Sequence, residues 1–521
     1  MPPPLRNPDN PVVPPLRHEI LSGRFARPGT SAVPARLQAF LSPTPLGQAP
    51  GALAIWFGET LAMELLADPD RLRGLVDRDI AAIDGLIGAQ LDAVLHHPRL
   101  QRLEGSWRGL AWMIAGFDPG ARLKARLLPV TWEELDRDAA RASQFDQSAL
   151  FRLVYENEFG SAGGEPFGLL VIDHELRHKP LPRGLSARAP VDDVSVLSSL
   201  ASIAAAAFVP MVLAASPALL SVDEFADLVL STDIAAALRD GEHARWRALT
   251  TGEDTRFLCV TVPRVLARPR WLAGSQAMAG LCYEEYAPKP RHRTWSVAGY
   301  AFAATVARAQ AAFNWPADVR GVSTDRIGGG LVTELTAEPF VLGADTIWNR
   351  PPLDLALTDR QEQDLVLAGL MPLNTLPYGD AAFASVHSVQ ARYADPVGRE
   401  PTAASANLRL SAQISAMLCV SRFAHYVKVI GRELTGAFLT APEIERRLQH
   451  WLSSYTNASQ SPDPDARARH PLVSSRVSVH ELSDQPGSFG CVIHLQPYYQ
   501  LDDVAATFRL VTGFSSAGRR I

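Results

Sequence analysis

Residues 96–113 constrain the fold more than any other part of this sequence. They read HHPRLQRLEGSWRGLAWM, and the larger apolar residues recur every three or four positions, which is the spacing of one face of an α-helix. Glu104 lies four residues before Arg108, the favourable order for an ion pair along a helix. The pattern therefore predicts an amphipathic helix that packs against a neighbouring element through one face. The residues of this face are His96, Leu100, Leu103, Trp107 and Leu110.

The composition is that of an ordinary folded protein and argues against two classes of partner. The 521 residues are enough for about three domains, and 47% of them are apolar, so material for a core is ample. The formal net charge is −5, with acids and bases interspersed. Such a balance does not suggest binding to nucleic acid or to an anionic membrane surface.

The cysteines and the first residues indicate the compartment. Cys259, Cys282, Cys419 and Cys491 lie far apart in apolar contexts, whereas a disulfide framework or a zinc knuckle needs clustered spacing. The chain begins MPPPLRNPDNPVVPP, which lacks the apolar core of a secretory signal. These features predict buried, reduced thiols in a cytoplasmic protein.

One long uncharged run could in principle span a membrane. Residues 194–222 carry no charge over roughly 29 positions, which is long enough to cross a bilayer. Pro210 and Pro217 interrupt the run, and its many alanines and serines insert weakly into lipid. The segment is therefore predicted to be a buried helix–turn–helix without membrane insertion.

Local patterns divide the chain into four parts. Residues 1–50 form a proline-rich arm, residues 51–120 are helical, residues 121–400 mix strands with helices, and residues 401–521 hold two long helices followed by strands. Residues 455–471 are predicted to be a loop. The interspersed strands and helices predict a mixed α/β (α+β) fold. The predicted strands are residues 127–130, 153–155, 168–172, 257–262, 353–357, 473–482, 490–497 and 505–512.

The sequence contains one match to a zinc-protease motif. His174, Glu175 and His178 follow the H-E-x-x-H pattern, in which two histidines one helical turn apart hold the metal beside a glutamate base. An apolar strand runs directly into this motif and prolines follow at positions 180 and 182, so the continuous helix that the chemistry needs is not expected. A zinc metallohydrolase stays as an alternative from a different functional class.

No other pattern points to an enzyme. The triple glycine at residues 328–330 lacks the neighbours of a phosphate-binding loop and predicts a tight turn. Arg422, His425 and Tyr426 share one face of a predicted long helix, where a polar packing seam is favoured over a general base. The sequence thus predicts a chain without catalytic residues, metal or cofactor.

Several motifs, in one order from about residue 90 to residue 512, resemble a single known family. The run with Glu104, Trp107 and Arg108 resembles its HHP-x-x-Q-x-LE-x-x-WRGL signature, and seven further stretches resemble later motifs. The residues singled out in those stretches are Gly163, Gly164, Asp173, Arg256, Gly329, Arg422, His425 and Tyr426. The family that these motifs resemble is the large subunit of the type VI secretion contractile sheath, known as TssC, VipB or EvpB.

The resemblance implies a multi-domain, contractile tail-sheath-like fold and a mechanical role. Such large subunits pair with a small sheath subunit (TssB or VipA), and the pairs polymerise around stacked Hcp hexamers on a baseplate. Contraction drives the inner tube into a target cell, and a ClpV-type AAA+ ATPase then takes the sheath apart. Family members carry a longer N-terminal helix for that ATPase, whereas residues 1–50 show no comparable amphipathic helix.

The resemblance also implies a strand-rich interaction region near the C-terminus. Strand exchange at a sheet edge can join such subunits, because backbone hydrogen bonds hold neighbours together without fixing their relative rotation. The candidate partner-binding residues are Cys491, Val492, Ile493, His494, Thr507, Phe508, Arg509 and Leu510. An internal hairpin is the alternative for these strands. The sheath of another phage-tail-like contractile device is the alternative function within the same mechanical class.

Overall fold

A computed structural model describes most of the chain. The described residues are 16–21, 35–42, 49–161, 163–180, 191–272, 280–322, 327–341, 347–376, 379–391, 412–434, 440–457, 463–481, 488–498 and 508–515. The chain divides into two compact units, one made of residues 1–97 with 270–286 and the other of residues 98–269 with 287–521.

Helices and strands alternate along the described residues. The α-helices are α1 (Arg17–Leu21), α2 (Ala35–Leu41), α3 (Ala49–Phe57), α4 (Glu59–Leu66), α5 (Pro69–Leu95), α6 (Pro98–Ala115), α7 (Trp132–Arg141), α8 (Ala149–Phe151), α9 (Asn157–Gly160), α10 (Asp193–Ala207), α11 (Ala236–Arg239), α12 (Ala244–Thr250), α13 (Gly299–Phe313), α14 (Asp359–Leu367), α15 (Ile414–Leu434), α16 (Ala441–Ser453) and α17 (Pro464–Arg469). The strands are β1 (Leu170–Leu176), β2 (Met211–Ala215), β3 (Leu258–Val262), β4 (Val265–Leu266), β5 (Trp295–Ser296), β6 (Leu331–Val332), β7 (Glu338–Val341), β8 (Ile347–Arg350), β9 (Met371–Pro372), β10 (Asn374–Thr375), β11 (Ala381–Ala382), β12 (Leu472–Glu481), β13 (Ser488–Pro497) and β14 (Phe508–Ser515).

The first unit is helical. The buried residues of its small core are Phe57, Ala62 and Leu65. Helix α5 has 27 residues, none of which is buried. The Asp68 side chain caps its first turn, and the Tyr283 hydroxyl donates a hydrogen bond to Asp92 Oδ1 at 2.6 Å. This long helix is therefore held by its cap and by contacts on one side rather than by a surrounding core.

The second unit is built on a parallel four-stranded sheet with the order β1-β2-β3-β9. Every residue of β2 and β3 is buried, as expected for parallel strands that are covered on both faces. Helices α10 and α13 contribute buried side chains to the same core, among them Leu197, Leu200 and Phe302. This core is the largest in the described chain and fixes the elements that carry the predicted motifs.

A separate core of the second unit lies beneath its C-terminal sheet. Strands β12, β13 and β14 are antiparallel and follow one another in that order. Helices α15 and α16 pack against this sheet, and Trp315 stacks on Phe423 with ring centroids 4.2 Å apart. The two long helices and the C-terminal sheet therefore form two layers that pack against each other.

The predicted mixed α/β class is confirmed. The strands predicted at residues 168–172, 257–262, 473–482 and 490–497 correspond to β1, β3, β12 and β13, and the one at 505–512 overlaps β14 where that segment is described. The second long helix, predicted over 441–454, is α16. Long or strongly alternating patterns thus predicted their elements correctly.

The predicted strand at residues 153–155 is wrong, because these residues lie in a π-helical turn between α8 and α9. Phe151, Tyr155 and Phe159 recur every four residues, and successive ring centroids are 4.9 and 4.6 Å apart. The Ser148 hydroxyl accepts a hydrogen bond from the Phe151 N–H at 3.3 Å and caps the first turn. The aromatic side chains therefore follow a helical period that the short apolar run concealed.

The helix–turn–helix predicted for residues 194–222 is half wrong. Helix α10 follows the prediction, but the second half begins with β2, a central strand that pairs with β1 and β3. Phe208 has a φ of 52° and ends the helix before Pro210. A fully apolar run has no periodicity that distinguishes a buried strand from a buried helix. Among the described helices, none is long and apolar enough to cross a membrane.

Five smaller expectations also differ from the structure. Residues 127–130 have no regular structure, residues 353–357 form only a bridge at Leu353, and residues 455–471 include α17. The proline-rich arm, where described, contains α1, α2 and the start of α3. Cys282 is exposed, whereas the other three cysteines are buried. Short segments take their conformation from neighbours that a local pattern does not reveal.

Candidate functional site

Helix α6, which carries the first motif, packs through its smallest residues. The buried residues of α6 are Gly105, Gly109 and Met113. The predicted apolar contact face is only partly right: Leu110 packs against the core cluster of Met113, but Leu103 and Trp107 are each 55% exposed and His96 lies outside the helix. A Cβ atom on Gly105 would lie 2.0 Å from the carbonyl oxygen of Trp295, so glycine is what allows this close approach to β5.

Glu104 joins α6 to the side chains of two residues that flank β4 and β5. Its Oε1 atom accepts a hydrogen bond from Arg108 Nε at 2.8 Å, which confirms the predicted ion pair, and another from Arg268 Nε at 2.8 Å. The Thr294 hydroxyl donates to Glu104 Oε2 at 3.3 Å. Because Arg268 is 4% exposed, the Glu104 carboxylate neutralises a buried guanidinium.

Asp173, on β1, links two helices to the central sheet. Its Oδ1 atom lies 2.8 Å from Arg102 Nη2, and its Oδ2 atom accepts a hydrogen bond from the Tyr300 hydroxyl at 3.2 Å. Burial, together with the negative charge of Asp173, raises the pKa of Tyr300. The hydroxyl therefore keeps its proton, and α6, β1 and α13 are held together at one point.

The turn that contains Gly163 and Gly164 folds around the carboxylate of Glu158. Glu158 Oε2 accepts a hydrogen bond from the Glu165 N–H at 2.8 Å, and Oε1 pairs with the guanidinium of Arg126. Gly163 has a φ of +81°, and a Cβ atom on Gly164 would lie 2.1 Å from the Glu158 carbonyl oxygen. Both glycines are therefore required by the geometry of the turn.

Helix α15 brings the last motif against this turn and against α10. Arg422 donates a hydrogen bond to the Pro166 carbonyl at 3.4 Å and another to the Tyr426 hydroxyl at 3.2 Å. His425 is buried, with Nε2 3.1 Å from the Ala207 carbonyl oxygen. Burial lowers the pKa of His425 to about 3, so the imidazole is neutral and donates from Nε2. These three residues thus form a polar packing contact between elements.

The remaining two motif residues have local roles. Gly329 lies in the predicted tight turn with a φ of +61°, and Arg308 donates a hydrogen bond to its carbonyl at 2.7 Å. Arg256 lies in the 3₁₀ helix Glu253–Phe257, with Nη2 3.7 Å from a Glu253 carboxylate oxygen. No hydrogen bond among the described residues joins Arg256 to the other motif residues, so the motifs form several contacts rather than one site.

The zinc-protease pattern lies on a strand and does not gather its side chains. His174 and Glu175 are consecutive residues of β1, while His178 follows the strand, so the three do not lie on one turn of a helix. His174 stacks on Trp132 at 3.9 Å, and Glu175 Oε1 lies 2.5 Å from Arg264 Nε. Among the described residues, no group of three histidine, cysteine or acidic side chains is placed to hold a metal ion. The geometry does not fit a zinc hydrolase.

Strand β13 is the central strand of the C-terminal sheet. Residues Cys491 to His494 pair with β12 on one side and with β14 on the other, so in this structure Cys491, Val492, Ile493 and His494 offer no free edge. The internal pairing corresponds to the hairpin alternative. Phe508, Arg509 and Leu510 belong to β14, which is an outer strand, and Thr507 lies outside the described residues.

The outer edge of β12 is occupied by helix α16. The Val477 N–H donates to Gln449 Oε1 at 2.9 Å, and the Val479 N–H donates to Glu445 Oε2 at 3.0 Å. Both amides therefore point away from β13 and are satisfied by side chains instead of by another strand. In the described sheet, β14 pairs with β13 alone.

Two family models match the sequence in tandem. The model described as EvpB/VC_A0108, tail sheath N-terminal domain, matches residues 77–390, and EvpB/VC_A0108, tail sheath gpW/gp25-like domain, matches residues 403–514. The type VI secretion system sheath protein TssC1 of Pseudomonas aeruginosa is 32% identical over 451 residues, which is 85% of this chain and 86% of that relative. The chain belongs to the EvpB family of type VI secretion sheath proteins. It is a large subunit of the contractile sheath, and neither alternative function is favoured.

A solved sheath tail protein from Desulfitobacterium hafniense is a distant match to this EvpB-family chain. The identity is 12%, the match covers 62% of this chain and 61% of that chain, and the TM-score is 0.27. The chain thus spans less than two thirds of that structure, and a likeness of this size adds nothing about the fold.

Several residues that hold the EvpB-family motifs together were not indicated by the sequence. Arg102 and Arg268 bind carboxylates 71 and 164 positions away, and Arg432 donates to the Ser161 carbonyl 271 positions away at 2.8 Å. No local pattern could have identified these partners. For Glu445 and Gln449 the sequence did contain a signal: they are four residues apart in a predicted helix, so both side chains lie on one face and can reach the same neighbour.

Proposed function

We propose that this EvpB-family sheath protein works by polymerisation. In the cytoplasm it pairs with a small sheath subunit, and the pairs assemble on a baseplate into a helical sheath around an inner Hcp tube. Contraction of the sheath drives the tube into a target cell, and a ClpV-type ATPase then separates the contracted subunits. In this role the protein makes and breaks no covalent bond and needs no cofactor.

The difference between the two edges of the C-terminal sheet carries the proposal. Glu445 and Gln449 occupy the β12 edge, which prevents another strand from pairing there. Strand β14 is then the edge at which a strand of a neighbouring subunit adds. Main-chain hydrogen bonds at such an edge hold two subunits together while they rotate, as a contracting tube requires.

The register of the sheet identifies the β14 backbone groups that would receive this strand. Because the Val477 N–H points away from β13, Val477 and Ile493 form a non-hydrogen-bonded pair. Ile493 then bonds on its other side to Leu510, its partner in β14. By alternation along the strand, the residues whose N–H and C=O groups point outward are Arg509, Val511 and Gly513.

A proline in β14 tests this edge. Val511→Pro removes one outward N–H, whereas Val511→Ala keeps it and serves as the matched control. Each chain is co-expressed with the small sheath subunit, its folding is checked by thermal melting, and tubules are counted by electron microscopy. We expect tubules from the wild type and from V511A, and folded complexes without tubules from V511P.

Two results would contradict the proposal in different ways. Tubules from V511P in wild-type numbers would rule out β14 as the joining edge. A wild-type chain that neither co-elutes with the small subunit nor forms tubules would contradict polymerisation itself.

A further inference from the structure

The segment between α6 and α7 has the sequence of a strand, but it pairs with no strand among the described residues. Residues 122–130 contain no helix, turn or bend. From Lys124 to Val130, no backbone group is hydrogen-bonded to another described residue. Leu127, Leu128 and Val130 are 62%, 49% and 39% exposed. An extended apolar segment with unpaired backbone groups is a template for an added strand.

Two ion pairs hold this segment on the surface of its unit. Lys124 Nζ lies 2.7 Å from Glu165 Oε1, and Arg126 pairs with the buried Glu158. The Arg126 guanidinium also lies over the Phe167 ring, 5.3 Å from its centroid. The acidic partners flank the tight turn at Gly163 and Gly164. That turn therefore anchors the first half of the segment and leaves the leucines of the second half at the surface.

The two edges of the segment are unequal. In an extended chain, successive N–H groups point to opposite edges, so odd-numbered and even-numbered residues donate on different sides. Pro129 has no N–H and interrupts the odd-numbered edge. The even-numbered edge is complete, with donors on Lys124, Arg126, Leu128 and Val130. An incoming strand can pair without interruption only along the even-numbered edge.

We propose that a strand of the small sheath subunit pairs with residues 124–130 along the even-numbered edge and covers the exposed leucines. The inference rests on the proposed function, since it assumes a sheath of two different polypeptides. A second copy of this chain fits less well. Full antiparallel overlap of two 122–130 segments places Arg126 directly opposite Arg126, and like charges in that position are destabilising. A different strand with apolar residues at alternate positions avoids this repulsion.

Amide hydrogen exchange of the full chain, alone and in complex with the small sheath subunit, tests the contact. Peptides that span residues 122–131 are followed. We expect fast exchange in the chain alone and at least a roughly tenfold slowing in the complex, because strand pairing protects the donating amides. Slow exchange in the chain alone would show that the chain covers this segment itself, and concentration-dependent slowing without the small subunit would show that a second copy does. Either result overturns the proposal.

Two proline variants separate the edges. Leu128→Pro removes an N–H from the even-numbered edge, and the matched control Leu127→Pro removes one from the edge that Pro129 already interrupts. Both leucines are exposed and the segment is extended, so neither variant disturbs the core. We expect L128P to weaken binding of the small subunit by roughly tenfold or more and L127P by less than about threefold. Equal weakening by both variants would overturn the assignment of the edge.

The outcomes distinguish this inference from the function on which it rests. If the complex and the tubules form while exchange at residues 122–131 stays unchanged, only this inference fails. If no complex forms with the wild-type chain, the proposed function fails and the inference fails with it.

Discussion

Arg268 Nε lies 2.8 Å from Glu104 Oε1, although the two residues are 164 positions apart. The Arg268 side chain is 3% exposed and that of Glu104 is 18% exposed, so the pair is largely shielded from water. The same carboxylate binds Arg108 on the solvent side. A motif residue that looks like half of a surface ion pair is therefore the partner of a buried charge.

Replacing Glu104 by glutamine should destabilise the protein through Arg268. The change removes the carboxylate charge beside a buried guanidinium, and removal of one partner from such a pair costs about 3 kcal/mol. Arg108→Ala is the matched control, because Arg108 is 42% exposed in its side chain and an exposed pair contributes less than about 1 kcal/mol. Urea unfolding measures both. Equal losses for the two variants would contradict the special role of Arg268.

Replacing Gly105 by alanine should separate α6 from β5. The added Cβ atom would lie 2.0 Å from the Trp295 carbonyl oxygen, so one of the two backbones must move, at a cost of about 3 kcal/mol. Gly74→Ala on α5 is the control, since nothing lies within 4 Å of its Cβ position. That control should gain about 0.5–1 kcal/mol from better helix propensity. Thermal and urea unfolding measure both variants, and we expect G105A to be less stable and G74A to be more stable than the wild type. A G105A variant as stable as the wild type would refute the close packing of α6 on β5.

His425 should make the fold sensitive to acid. Burial, followed by the charges of Arg422 and Lys428, lowers its pKa from 6.5 to about 3, so between these values the unfolded chain binds the additional proton. The contribution of His425 to stability is full above about pH 6.5 and falls as the pH falls. For this residue we expect a loss of about 2 kcal/mol between pH 7 and pH 5.

The variant His425→Gln isolates this effect. Glutamine can still donate to the Ala207 carbonyl but does not titrate, so the variant should be less stable at pH 7 and should lose less on acidification. The free energy of unfolding at pH 7 and pH 5 is measured for both proteins. The same pH dependence in wild type and H425Q would show that His425 is not the titrating group.

Some elements could be predicted because their own residues decide them. Strands β12 and β13 alternate apolar and polar side chains, and the α16 face repeats at helical spacing, so each was predicted nearly to its ends. The Glu104–Arg108 pair followed from spacing along one helix. In each case the deciding contact lies within the element or depends on its period.

Other elements could not be predicted, because a distant neighbour decides them. Strand β2 is as apolar as a buried helix, and only its position between β1 and β3 makes it a strand. Residues 127–130 show the opposite case, an apolar extended run that pairs with no strand in the part of the chain that the structure describes. Helix α6 packs through Gly105 rather than through Trp107, because close approach of the β5 backbone needs the smallest side chain.

The amino-acid order alone determined the mixed fold class, the ordered motifs by which the family was recognised, and the long helices and final strands. Those features depend on periodicity and residue type, and both are properties of the sequence itself. The tertiary structure decided which face of α6 is buried, which charges pair with Glu104, and that α16 closes one edge of the C-terminal sheet. Those outcomes depend on contacts between residues tens to hundreds of positions apart, and such contacts exist only after the chain has folded.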